Sequence, residues 1–132
     1  MLEQNLHNNS KQDILNNYLK LFFILQLTNK LYHWNTTSFA RHKATDEFND
    51  IINDFIDKFV EYYIGRNKCK PSITSIKTKK EYLTDTGFII FFEDIKILLD
   101  NMNKIINDED LLAIKDELLG EVNKMLYLLN LS

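Results

Sequence analysis

The chain has 132 residues, 45% of them hydrophobic, which is enough for one core and too little for a second domain. Three glycines and one proline exclude a turn-rich β fold, and a net charge of −3 argues against a chain built to neutralise nucleic-acid phosphates. The single cysteine, Cys69, excludes an internal disulfide or a thiolate zinc cluster and fits a reducing compartment.

Residues 1–9 are polar and read as a flexible tail, His7 included, ahead of one domain over residues 10–132. With no apolar run near 18 residues and no signal-peptide pattern, a soluble, cytoplasmic protein without a membrane segment is expected. Ser10 followed by Asp13 marks the start of a first helix. Its apolar positions include Ile14, Leu15, Tyr18, Leu19, Phe22, Leu25 and Tyr32, a face wide enough to meet neighbours within the bundle and across a dimer. His33 and Trp34 fall at its end. Pattern alone reads them as a histidine bonded to terminal carbonyls and a tryptophan plugging the end of the bundle.

Thr37 or Ser38 is placed to cap a second helix over Ser38–Ile64, closed by Gly65, with Phe48, Ile51, Ile52, Phe55, Phe59 and Tyr62 at three- and four-residue spacing. Setting His42 at 0°, Asp46 falls near roughly 40°, Asp57 near 60° and Glu61 near 100°, so all four share one face opposite the apolar stripe. At about 1.5 Å per residue, Asp46 and Asp57 are about 16 Å apart along the axis, and one helix cannot close one site from them. A second copy packed antiparallel, about a two-fold near Ile51 and Ile52, would set His42 and Asp46 of one chain beside Asp57 and Glu61 of the other. The plainer reading is a solvated face, which Asp50 and Asp54 share without a role in any site.

The next twenty or so residues, RNKCKPSITSIKTKKEYLTDT, exceed the two to eight usual between antiparallel helices. A crossover joining parallel second and third helices, about 40 Å long, would need that length. Lys68, Lys70, Lys77, Lys79 and Lys80 make this segment basic, which serves solubility or contact with an acidic partner. A third helix is expected from about Gly87, capped by Asp85 or Thr86, to Ile106, and a fourth from Asp108 through Leu129. The whole is all-α, a four-helix bundle. Neither later helix carries a histidine, so Glu93, Asp94, Glu117 and Glu121 lack the Glu-x-x-His pairing of larger di-iron bundles.

His33-Trp34, then His42-x-x-x-Asp46-Glu47, then Asp57-x-x-x-Glu61 resembles the ferroxidase motif of the Dps-type miniferritins, within the ferritin-like superfamily. The spacing from His42 to Glu61 matches without a gap. Between His33 and His42 the chain is shorter than in ordinary Dps proteins and lacks their glycine-bearing turn. HWNTTSFARH, Gly65 and the terminal YLLNL also resemble a set of ferritin-like proteins carried by phages and large viruses, for which the location would be host cytoplasm or virion. The Dps resemblance implies a ferritin-like bundle with the long crossover between its second and third helices. It also implies Fe(II) bound by His33, His42 and Asp46 of one subunit and Asp57 and Glu61 of its mate, with Glu61 placed to bridge two irons. Oxidation by peroxide or O₂ would follow, Trp34 serving as electron donor and the assembly being a dimer or a twelve-subunit shell. Zn, Mn or Co suit the same ligands. DNA binding is not expected, since no lysine-rich tail is present. The rival expectation is a ferritin-shaped structural or interaction protein without ferroxidase activity.

Overall fold

Ser10 starts the first helix by a reciprocal exchange: its hydroxyl accepts the Asp13 N–H at 3.1 Å and the Asp13 carboxylate accepts the Ser10 N–H at 3.3 Å. The computed structural model describes residues 10–131; the segment 1–9, expected to be a tail, lies outside them, as does Ser132. The described residues form four helices and no strand: α1 (Lys11–Asn35), α2 (Phe39–Asn67), α3 (Asp85–Asp100) and α4 (Glu109–Leu131), with 3₁₀ turns at Lys80–Leu83 and Asn101–Lys104. None is long and apolar enough to cross a membrane.

Ser38 caps α2 by accepting the Arg41 N–H at 3.2 Å. Gly65 does not end this helix. The chain stays helical to Asn67, and Lys68, at φ 52°, takes the left-handed cap with its N–H on the Ile64 carbonyl at 2.8 Å. The cap of α3 is Thr84, one residue ahead of the expected pair, with its hydroxyl accepting the Gly87 N–H at 3.0 Å. A β-carbon on Gly87 would sit 1.7 Å from the Glu81 carbonyl oxygen, so glycine is what lets the Lys80–Leu83 turn close against α3. α3 stops at Asp100 rather than near Ile106. Asn101 and Asn103 are poor helix formers, and the tighter 3₁₀ turn there still buries Met102 and Ile106.

The apolar stripes meet in a core rich in aromatic rings. Phe22 of α1 packs edge-to-face on Phe55 and Phe59 of α2 at 4.8 and 5.2 Å, and Phe48 of α2 on Phe92 of α3 at 5.2 Å. Helix α1 lies against α2, α2 against α4, and α4 against α3. The segment 68–84 runs lengthwise along α1. Gln12 donates to the Lys70 carbonyl (2.8 Å), the Ser72 N–H to the Asn16 side chain (2.8 Å), and Thr28 and Thr78 share a bond of 2.6 Å. Twelve helical residues of α1 and six extended linker residues each span about 18–20 Å, so the two run in step.

At one end all four helices are tied through Arg41, which is only 6% exposed. Its guanidinium donates to the Tyr32 hydroxyl at 2.8 Å, the Asp85 carbonyl at 3.1 Å and the Leu129 carbonyl at 2.8 Å, one acceptor from each of the other helices. Tyr32 in turn donates to the Asp85 carboxylate at 2.7 Å and stacks on Phe88 at 3.9 Å.

Burial pushes the phenols of Tyr18 and Tyr63 up to about 12, with Cys69 and Asp108 adding to the shift at Tyr63. The folded chain holds these protons more tightly than the unfolded chain, whose tyrosines ionise near 10. The stability they contribute is therefore whole below pH 10 and is lost as pH rises through about 12. Urea midpoints across pH 8–12 should fall steeply above 10, and Tyr18→Phe should flatten that fall; an unchanged slope would refute the assignment.

Candidate metal centre

The turn between α1 and α2 brings His33 and His42 face to face. Their rings stack with centroids 3.9 Å apart and planes 18° from parallel. Each ring uses Nδ1 on the other residue's backbone: His33 Nδ1 lies 2.8 Å from the His42 carbonyl, and His42 Nδ1 lies 3.0 Å from the His33 carbonyl. A carbonyl only accepts, so each Nδ1 carries a hydrogen, and the neutral form of each ring is the one with its lone pair on Nε2. Neither Nε2 makes a protein hydrogen bond among the described residues. His33 is buried and His42 is exposed. Each lone pair lies in its own ring plane and the two planes are nearly parallel, so both imidazoles close on a single ion only if the stack opens.

Asp46 is exposed one turn beyond His42, and Asp57 and Glu61 are exposed about four and five turns beyond it on the same helix. The latter two border a cleft with Leu19, Phe23, Ile56, Val60 and Pro71. Among the described residues, no three His, Cys, Asp or Glu side chains of one chain come together as a metal-holding group. Ile52 does not face a mate, being fully buried in the chain's own core, while Ile51 borders a groove against α4. At that level the shared face presents Asp50 and Asn53, the latter accepting from Gln26 at 3.4 Å.

Trp34 plugs nothing. It is 66% exposed, with the Lys30 ammonium 5.3 Å above its ring, and the residue that fills the end of the bundle is Tyr32.

Two polar residues beside the histidines escaped the sequence reading. Thr45 is fully buried; its oxygen lies 2.9 Å from His33 Nδ1 and 2.8 Å from the Arg41 carbonyl. Asn29, equally buried, donates to the Thr45 carbonyl at 2.9 Å. A signal for both existed: 41, 45, 48, 52, 55 and 59 repeat at four and three, so Thr45, like Arg41, takes a place in the stripe otherwise held by Phe48, Ile52, Phe55 and Phe59, and Asn29 falls in step with Phe22, Leu25 and Tyr32 of α1.

The site thus belongs to an all-helical bundle with an imidazole pair at one end of a long helix and a carboxylate pair further along it. The chain belongs to DUF5856, a family of unknown function, whose model matches residues 33–129, from His33 almost to the end of α4. No curated protein and no solved structure matches it.

Proposed function

We propose that the chain is a ferritin-like, Dps-type protein that binds Fe(II) where two copies meet and passes its electrons to peroxide or O₂. The observation that carries this reading is the His33–His42 pair, with both Nδ1 atoms engaged and neither Nε2 atom hydrogen-bonded to protein among the described residues. Locking one ring nitrogen by a backbone acceptor is how proteins present the other to a metal. An antiparallel copy of α2 would add Asp57 and Glu61 to His33, His42 and Asp46, completing a set of nitrogen and oxygen donors suited to iron, with Zn, Mn or Co as substitutes. Because the two ring planes are nearly parallel and do not converge, each ring would serve one of two irons, with Glu61 the candidate to bridge them. Exposed Trp34, next to His33, would supply an electron. The path of segment 68–84 along α1 supports a crossover between α2 and α3, the connection that ferritin-like bundles share.

The test is an anaerobic calorimetric titration of metal-stripped protein with Fe(II). One or two irons per chain should bind, and His42→Ala should abolish the heat. Titration heat no greater than dilution in the wild type would replace this reading with a ferritin-shaped structural protein.

A further inference from the structure

The buried hydroxyl behind His33 has one hydrogen, and its surroundings fix where that hydrogen goes. Thr45 Oγ1 lies 2.8 Å from the Arg41 carbonyl and 3.0 Å from the His42 carbonyl, and neither of these can donate to it. Its hydrogen is therefore committed to the α2 backbone. What it offers His33 Nδ1, at 2.9 Å, is a lone pair. Asn29 of α1 donates to the carbonyl of the same residue at 2.9 Å, which holds the α2 backbone at Thr45 against α1. All three side chains are buried, Thr45 and Asn29 completely and His33 to within 6%. No bulk water competes for these bonds, and a mispaired donor there would cost the full desolvation of the group.

The His42 carbonyl asks for the same hydrogen on Nδ1, but it is shared with the Thr45 hydroxyl and lies in the first turn of α2. The threonine oxygen is the second acceptor, and two acceptors fix the rotation of the ring as well as its tautomer.

We propose that Thr45, braced by Asn29, is a positioning residue: beside the His42 carbonyl, which already calls for the Nδ1–H tautomer, it is the second acceptor that fixes the rotation of the His33 ring and aims Nε2 outward as the neutral ring's sole lone pair. The role this serves rests on the metal reading above; the tautomer itself does not.

Long-range ¹⁵N–¹H correlation spectra of the metal-free protein decide the tautomer. In the wild type His33 should show a protonated, pyrrole-type Nδ1 and a pyridine-type Nε2. Thr45→Ser, which keeps the hydroxyl, should match it. Thr45→Val, which keeps the shape, should keep the hydrogen on Nδ1 through the His42 carbonyl but shift and broaden the Nδ1–H signal as the ring loses its second acceptor, and should bind Co(II), used as a spectroscopic probe, about 10–100-fold more weakly, as loss of such a supporting hydrogen bond does elsewhere. A wild-type ring protonated on Nε2 would overturn the proposal. So would a Thr45→Val protein with the wild-type spectrum and wild-type Co(II) affinity. Should the wild type bind no Co(II) while Thr45→Val still changes the His33 Nδ1–H signal, the positioning role stands and the metal reading falls.

Discussion

Arg41→Met should destabilise the chain by about 3 kcal/mol, a large share of the 5–15 kcal/mol typical of a small domain. The side chain is buried and its guanidinium is shared among acceptors on α1, α3 and α4, so its removal leaves the Leu129 and Asp85 carbonyls short of a donor. The Asp85 carboxylate matters less. It is 74% exposed and 3.9 Å from the guanidinium, an ion pair that water screens, so Asp85→Asn should cost less than about 1 kcal/mol. Arg41→Lys should recover only part of the loss, since an ammonium cannot reach three acceptors in the fixed fork of a guanidinium. Urea unfolding of the three variants measures this directly. A loss under about 0.5 kcal/mol for Arg41→Met would mean the hub is not what ties the helices.

The second large effect concerns the carboxylates. Asp57→Ala with Glu61→Ala should remove Fe(II) oxidation, and His42→Ala should do the same from the other half of the proposed site. Mixing the two inactive proteins and allowing subunits to exchange then becomes decisive. In a two-fold dimer, random exchange makes about half the dimers mixed, and each mixed dimer has one intact and one doubly broken site, so about a quarter of the wild-type activity should return. No recovery, with both parents inactive and subunits shown to exchange, would mean that the residues do not act across an interface. A wild-type rate in the double variant would remove Asp57 and Glu61 from the chemistry altogether.

The helices were legible because each carries its own evidence: Ser10 and Ser38 cap as their side chains allow, and the apolar spacing places the buried faces. Their ends were less so. Gly65 could have closed α2, yet the helix gains three more residues before Lys68 caps it, and nothing in the run IGRNKCK distinguishes the two. The site was legible only in half. His33 and His42 are near neighbours across a short turn, so the sequence brings them close, whereas their mutual stacking depends on backbone carbonyls that no side-chain pattern encodes. Arg41, Thr45 and Asn29 were missed because charged and polar residues are mostly exposed, and only their register with the apolar stripe argued otherwise. Asp46, Asp57 and Glu61 look the same on a wet surface and on a face awaiting a mate, since within one chain both are exposed.

The clasp between the two histidines also bears on the order in which the molecule assembles. Its partners are nine residues apart in the chain, so closing it costs little loop entropy and needs no distant contact. An α1–α2 hairpin can therefore arrange both imidazoles before the rest of the bundle folds. Under the shared-site proposal the carboxylates arrive only when a second molecule does, so one half of the centre would form at a rate independent of protein concentration and the other in proportion to it. A stopped-flow dilution series would separate those two clocks.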